Sequence, residues 1–232
     1  CGWSEAQAKY VRDFGVIEVQ ETFYRPGRLE KYERWRAGAP SGFEFVIKAW
    51  KLITHKPSSP TYRKLTRAVP PAKMGRYGSF RPTEEVFAAW EVTAMGAAAL
   101  GARMILFQCP ASFGPSREHR ENLRTFFRSI DRKGFLLLWE PRGEWAPGEI
   151  SRLCSTLDLV HCVDPFNTRP VHGSIRYYRL HGRPGYHIRY RYTTGDLQEL
   201  LRMIDRKTVY VLFNNLSMLR DARRFRRLVR RT

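Results

Sequence analysis

Short apolar runs alternate along the chain with stretches in which apolar residues recur at helical spacing. The runs predict seven buried strands, over residues 15–19, 43–49, 103–108, 135–140, 159–164, 174–181 and 208–214. The amphipathic stretches predict seven helices, over residues 5–14, 28–38, 82–102, 116–131, 147–156, 195–205 and 219–230. Residues 56–82 are rich in Pro, Ser and Arg and have no clear period, which indicates a long connection.

This alternation of strands and helices indicates the fold class. Repeats of roughly 30 residues with short connections are typical of βα units, and a series of them builds a parallel sheet covered by helices. A length of 232 residues is normal for one barrel of this kind. We therefore predict an α/β fold, a TIM-type (β/α) barrel that residues 1–232 form as a single domain.

Each predicted strand ends on a polar side chain. The apolar run 135–139, for example, stops at Glu140 and Arg142. In a parallel barrel all carboxyl ends of the strands point to one mouth, where active sites lie. Polar groups that meet there become partners, which lowers the cost of their burial. The expected ring comprises Glu18, Lys48, Gln108, Glu140, Arg142, Asp164, Arg179, His181 and Asn214. The alternative is that these residues only terminate their strands and face water.

The net charge of +19, most of it from Arg, favours an anionic partner such as nucleic acid or a phosphorylated small molecule. An arginine-rich surface without a ligand is the alternative. No apolar run approaches the 18 or more residues of a membrane helix, so no membrane partner is expected. The absence of a charged-then-apolar leader favours a cytoplasmic protein. Four cysteines without metal spacing favour reduced, buried thiols.

Two loops at the predicted mouth carry further candidate ligand contacts. Residues 181–195 interleave Tyr with Arg, a pattern that suits phosphate contact with base stacking, and Arg183 and Tyr186 are its candidates. Loops after the last strands are also the usual phosphate site of such a barrel. Tyr24 and Arg25 follow the strand at 15–19. Alternatively, residues 181–195 form a β-hairpin whose tyrosines pack on the barrel.

Recognisable motifs run almost from end to end of the chain. They are CGW (1–3), VIEVQETFYRP (16–26), GFEFVIKAWKLITH (42–55), FQCPASF (107–113), WEPRGEW (139–145), YYRLHGRPGY (177–186), FNN (213–215) and DARRF (221–225). In order and spacing they resemble the YecE-like family, catalogued as domain of unknown function 72. The resemblance implies a TIM barrel, similar to sugar isomerases and to barrels of the endonuclease IV type, without an established activity.

The resemblance also carries two expectations about particular positions. In this family the first strand precedes the Gly-Trp motif, so here it is expected upstream of Cys1. Many members have histidine where this chain has Gly143, which excludes an imidazole role at that position.

The candidate chemistry rests on carboxylates and bases at the strand ends. Glu18 and Glu140 could act as an acid–base pair, with Lys48 neutralising one of them or holding an anion. The alternative is a Lys–Glu ion pair that closes the barrel. His55 and His181 with Glu140 and Asp164 suit a divalent metal by ligand type. No short metal-binding spacing supports such a site, so we expect no metal and no cofactor.

Three functions therefore stay open. The first is binding of a phosphate-bearing or nucleic-acid ligand at the mouth, with hydrolysis as one reaction and Glu18, Lys48, Glu140 and His181 as the catalytic candidates. The second is non-catalytic binding of nucleic acid. The third is a sugar-type barrel enzyme with aromatic stacking platforms. A deep pocket lined by charged groups would favour an enzyme, and a broad basic groove would favour a binding protein.

Overall fold

Seven strands form the centre of the computed structural model, which describes residues 2–64, 69–205 and 207–231. They are β1 (Val16–Val19), β2 (Glu44–Lys48), β3 (Met104–Gln108), β4 (Leu136–Glu140), β5 (Val160–Val163), β6 (Arg176–Leu180) and β7 (Val209–Phe213). All are parallel and pair in chain order from β1 to β7. The predicted α/β barrel is confirmed as seven parallel strands in a nearly closed barrel, alternating with helices.

Helices cover the outside of this barrel. They are α1 (Gln7–Asp13), α2 (Glu21–Tyr24), α3 (Leu29–Ala37), α4 (Lys51–Thr54), α5 (Glu84–Ala99), α6 (Arg117–Ser129), α7 (Pro147–Thr156), α8 (Thr194–Arg202) and α9 (Met218–Val229). In the long connection lie two 3-10 helices, Pro60–Lys64 and Pro71–Arg76; residues 65–68 fall outside the described part. The sequence does not predict α2 and α4, because about one helical turn is too short to show a period. None of the described helices is long and apolar enough to cross a bilayer.

Hydroxyl caps set the starts of three helices. The side chain of Thr83 accepts from the backbone of Val86 before α5, and Ser116 caps α6 in the same way. Thr193 and Asp196 form a reciprocal capping box at the start of α8. Each cap satisfies a backbone N–H that has no partner inside its helix, which is why the helices begin there.

Side chains alternate along each strand between the barrel interior and the helix layer. On β2, Val46 packs in the interior cluster, whereas Phe45 and Ile47 pack against the helices. On β6, Tyr177 lies inside and Tyr178 lies outside. The residues two positions beyond these interior side chains, Lys48 on β2 and Arg179 on β6, therefore also point into the interior, at its carboxyl end.

The edge strands β1 and β7 form no ladder with each other in the described part of the chain, and an apolar groove of about 290 Å³ lies between them. Polar contacts nevertheless cross this gap. The hydroxyl of Tyr210 on β7 donates to both carboxylate oxygens of Glu44 on β2, at 3.0 and 2.9 Å. Arg223 of α9 binds Asp13 at the end of α1. The strand expected upstream of Cys1 lies outside the described residues and stays a prediction.

Candidate functional site

A fully buried guanidinium lies at the centre of the barrel mouth. Arg179 Nη2 is 2.8 Å from Oε1 of Glu18, and its Nε is 2.9 Å from Oε2 of the same carboxylate. Arg179 Nη1 lies 2.5 Å from Oε2 of Glu140 and 3.3 Å from Oε1 of Gln108. The hydroxyl of Tyr177 donates to Glu18 as well, at 2.9 Å. One side chain of β6 thus links β1, β3 and β4 and gives two buried carboxylates charged partners.

These pairings fix the charges of the buried carboxylates. Burial raises the pKa of Glu18 and Glu140, but their charged and hydrogen-bonding partners, with Arg179 the strongest of them, together outweigh it and lower both pKa values, that of Glu140 to about 2. Burial lowers the pKa of Arg179, and the two carboxylates more than offset this and raise it. Both acids are therefore ionised at neutral pH. This arrangement favours a structural ion-pair cluster over proton exchange between Glu18 and Glu140.

Lys48 lies beside this cluster without sharing its ion pairs. Its side chain is buried, with 5% of the residue exposed, and Nζ sits 3.7 Å from the ring centre of Phe23. In the described residues, Arg179 rather than Lys48 makes the ion pair with Glu18 that closes the mouth. Burial first, and the charge of Arg179 second, lower the pKa of Lys48 to about 7. A partly neutral amine at physiological pH follows.

The balance of charges in the cluster also favours the neutral amine of Lys48. The two carboxylates of the cluster, Glu18 and Glu140, are matched by two guanidinium groups, those of Arg179 and Arg142. A proton on Lys48 would add a positive charge without a counter-ion in a desolvated place, and this disfavours the ammonium form.

Arg142 extends from the buried cluster towards a cavity. Its Nε donates to Oε1 of Glu140 at 2.9 Å, and its Nη2 lies 2.9 Å from Nε2 of His181. Burial lowers the pKa of His181 to about 4, so the imidazole is neutral and its Nε2 can accept this hydrogen bond. The ring of Tyr186 covers the guanidinium at 5.2 Å. Arg142 is therefore held in one orientation from two sides.

The cavity beside Arg142 has a volume of about 560 Å³, which is within the range of small-molecule sites. Its walls combine charged groups with apolar surface, and include Glu140, Arg142, Trp145, His161, Asp164 and Tyr186. The carboxylate of Asp164 accepts from the backbone N–H of His181 at 3.0 Å and from that of Phe166 at 3.2 Å. Burial raises the pKa of Asp164. The buried cluster thus forms one wall of the cavity, and groups of mixed polarity form the others.

The structure brings most of the predicted site residues together. Six share one network of hydrogen bonds: Glu18, Gln108, Glu140, Arg142, Arg179 and His181. Lys48 and Asp164 border this network, and Tyr186 covers it. Asn214 follows β7 and is half-buried, and its backbone N–H donates to the carbonyl of Leu180.

Three other predicted residues lie apart from the network. Arg183 pairs with Asp196 at 2.9 Å and with Glu199 at 2.7 Å, so its guanidinium is engaged within its own loop and the helix that follows. Tyr24 packs edge-on against Phe23, and Arg25 is exposed beside it. The alternative of a β-hairpin over residues 181–195 is wrong, because this described segment contains turns and no strand.

The four side chains that suit a divalent metal by ligand type have other partners. His55 Nδ1 lies 2.8 Å from the hydroxyl of Thr54, and the ligand atoms of Glu140 and His181 are held by arginines. Within residues 2–64, 69–205 and 207–231, no group of three His, Cys, Asp or Glu side chains is placed to hold a metal ion. The expectation of no metal and no cofactor stays a prediction.

Sequence reasoning missed Tyr177, which holds Glu18 from inside the barrel. Strand alternation could have identified it, because Tyr177 lies two residues before Arg179 and therefore on the same face of β6. The structure also explains the glycine at position 143. A Cβ there would lie less than 3.0 Å from the carbonyl oxygen of Phe113, the same oxygen that accepts from Trp145 Nε1 at 2.7 Å.

Fold and site together define a (β/α)-barrel protein whose mouth contains a buried carboxylate–guanidinium cluster beside an open cavity. The family described as "Protein of unknown function DUF72" matches residues 4–232, and the chain belongs to this family. The family expected from the sequence motifs is thereby confirmed. No curated protein matches the chain.

Solved structures agree with this fold. A DUF72 family protein from Enterococcus faecalis is 19% identical, with a TM-score of 0.72 over 97% of this chain and 93% of that one. Endonuclease IV from Thermus thermophilus is 15% identical, with a TM-score of 0.58 over 100% and 97% of the two chains. D-Psicose 3-epimerase is 15% identical, with a TM-score of 0.57 over 98% and 94%. At these identities the likeness concerns the fold alone.

Proposed function

We propose that the mouth cavity binds a phosphate-bearing small molecule, with its phosphate against Arg142. The orientation of this guanidinium carries the proposal. Glu140 holds Nε and His181 holds Nη2, while Nη1 has no hydrogen-bond partner among the described residues. A planar, preoriented guanidinium with a donor left over is well suited to phosphate oxygens.

The charge around the cavity supports an anionic ligand. The chain carries a net charge of +19, which raises the local concentration of anions near its surface. Two acids in the cavity wall oppose this: Glu140, which is paired with Arg179 and Arg142, and Asp164. The carboxylate of Asp164 already accepts two backbone N–H groups, and burial raises its pKa, which both reduce its repulsion of a phosphate.

Lys48 is the group in this mouth best suited to proton transfer. A pKa of about 7 lies near the working pH, where a general acid or base is most effective. The reaction included in this proposal is hydrolysis of a bound phosphate ester, in which water attacks the phosphorus, Arg142 holds the anion, and Lys48, which lies at the mouth beside Glu140 but outside the cavity lining, supplies the proton for the leaving oxygen. Neither metal nor cofactor is part of this proposal. A cytoplasmic location belongs to it, and is supported by the free, buried thiols of Cys109, Cys154 and Cys162.

Calorimetric titration with inorganic pyrophosphate tests the binding site. Arg142→Gln removes the charge and the free donors but keeps a polar side chain, and we expect it to weaken binding by about tenfold or more, since a charged hydrogen bond contributes roughly 1.5–3 kcal/mol. Arg25→Gln is the matched control, because Arg25 is exposed and outside the hydrogen-bonded network. Equal weakening by both variants would contradict the assignment of the phosphate to Arg142.

Nucleic acid is the second candidate ligand, and a separate observation favours it. The loop after β6 exposes Tyr186 at the edge of the cavity and two arginines, Arg189 and Arg191, outside it. They suit a longer polyanion better than they suit a small phosphate.

A further inference from the structure

In the loop from Gly182 to Thr193, some arginines and tyrosines make contacts that hold the conformation of the loop, and the others do not. Arg183 is held by Asp196 and Glu199 and lies over the ring of Phe166 at 4.2 Å. The hydroxyl of Tyr190 donates to Asp196 at 2.7 Å. The buried hydroxyl of Tyr192 accepts from the backbone N–H of Gly182 at 2.8 Å. These contacts make the loop a defined scaffold.

Four exposed residues of this loop, with one from the next loop, define what we call the rim patch: Tyr186, Ile188, Arg189, Arg191 and Leu216. Tyr186 is 66% exposed, Ile188 42% and Leu216 71%. The two loops adjoin, because the backbone N–H of Leu216 donates to the carbonyl of Ile188 at 2.7 Å. Arg189 and Arg191 are exposed, and neither makes an ion pair within the described part of the chain.

Tyr186 is supported from below. Its ring stacks on the imidazole of His181, with centres 5.2 Å apart and planes at 27°, and it lies 5.2 Å from the Arg142 guanidinium. The ring is thus fixed on one side while two-thirds of the residue stays open to solvent. A preoriented aromatic ring of this kind can stack a planar base with little further loss of side-chain entropy.

We propose that the rim patch binds single-stranded nucleic acid, with one base on Tyr186 and backbone phosphates on Arg189 and Arg191. Interleaved aromatic rings and cations are the means by which proteins bind single strands. The apolar side chains of Ile188 and Leu216 favour a single strand over a duplex, since paired bases are stacked inside a double helix and do not reach such contacts. Tyr186 also lines the cavity, but the other four residues of the rim patch do not, so this proposal goes beyond the phosphate site at Arg142.

Fluorescence anisotropy with a labelled oligothymidylate strand of about ten nucleotides tests the rim patch. In the double variant Arg189→Ala/Arg191→Ala, we expect the log–log salt slope of the affinity to become shallower by roughly 1.4, which is about 0.7 for each phosphate released. Tyr186→Ala should weaken binding by about tenfold or more at unchanged slope, and Tyr186→Trp should restore it, because a larger ring still stacks.

Arg124→Ala/Arg128→Ala is the matched control, since it removes the same charge from exposed positions of α6. It should leave the slope nearly unchanged. If it flattens the slope as much as the rim variant does, or if a duplex of the same length binds as tightly as the single strand, the rim patch is not a single-strand site. Pyrophosphate binding at Arg142 should persist in the rim double variant, which separates failure of the rim from failure of the cavity.

Discussion

Replacing Lys48 by methionine should make the protein more stable at neutral pH, although it removes a polar residue from the candidate site. The reason is the proton on the amine. The pKa of Lys48 falls from an ordinary 10.5 to about 7 in the folded protein, so the unfolded chain binds this proton more tightly than the folded one does. A basic group whose pKa is lowered by folding therefore reduces the free energy of unfolding at every pH at which the unfolded chain still binds the proton.

The size of the effect follows from the two pKa values. At pH 7 the difference between 10.5 and about 7 corresponds to about 4 kcal/mol of lost stability, at 1.36 kcal/mol per pKa unit. Methionine has a similar length, and the new packing costs up to about 1.5 kcal/mol. Lys48→Met should therefore gain about 3 kcal/mol at pH 7. Above pH 7 the amine of Lys48 is mostly neutral in the folded protein, and as the pH approaches 10.5 it also loses its proton in the unfolded chain. The stability gained by Lys48→Met should therefore shrink to about 1 kcal/mol or less by pH 10.

Urea unfolding of both proteins at intervals between pH 6 and about 10 measures this difference directly. Lys9→Met serves as the control, because Lys9 is exposed and the same substitution there involves no buried charge. A free-energy difference between Lys48→Met and the parent that stays constant over this range would refute the argument. It would mean that Lys48 titrates alike in the folded and unfolded chains.

Two further predictions concern the walls of the mouth. The pKa of Glu140 is lowered from 4.5 to about 2, so the ionised carboxylate contributes about 3 kcal/mol of stability above pH 4.5, and this contribution is lost as the pH falls towards 2. Glu140→Gln should therefore lose about 3–5 kcal/mol of stability at neutral pH, and its stability should fall less steeply with acid than that of the parent. The control Glu30→Gln, at an exposed position, should unfold in acid as the parent does. Gly143→Ala should lower the stability measured by thermal unfolding by about 1–3 kcal/mol, because the new Cβ would lie less than 3.0 Å from the carbonyl oxygen of Phe113. The control Gly148→Ala should leave stability unchanged, because a Cβ at that position would have no neighbouring atom within 4 Å.

The strand pattern could be predicted because a strand imposes period two on the sequence. Glu140 and Arg179 follow interior positions by two residues, so the alternation alone places both at the mouth. Which carboxylates Arg179 would bind was not predictable. Glu18 and Glu140 lie 161 and 39 residues away, and only the closure of the barrel brings them to it.

The loop after β6 shows the limit of pattern reasoning most clearly. Arg183, Arg189 and Arg191 look equivalent in the sequence, and all occur in a stretch that also carries three tyrosines. The structure distinguishes them through α8, because Asp196 and Glu199 of this helix form ion pairs with Arg183, whereas Arg189 and Arg191 stay exposed. Charge composition predicts that a loop is basic, but not which of its charges is neutralised by a neighbouring helix.

The central role of Arg179 also bears on the kind of chemistry open to this mouth. A guanidinium stays charged throughout the accessible pH range, so it cannot exchange protons with the two carboxylates that it binds. Those carboxylates are thereby fixed as anions and engaged as hydrogen-bond acceptors. Among the cationic groups of the mouth, Arg142 has an edge that the cluster does not use and that faces the cavity, and the amine of Lys48 takes no part in the ion pairs of the cluster. The buried ion pairs are therefore a rigid support for Arg142 and Lys48, the two residues to which our proposal assigns anion binding and proton transfer.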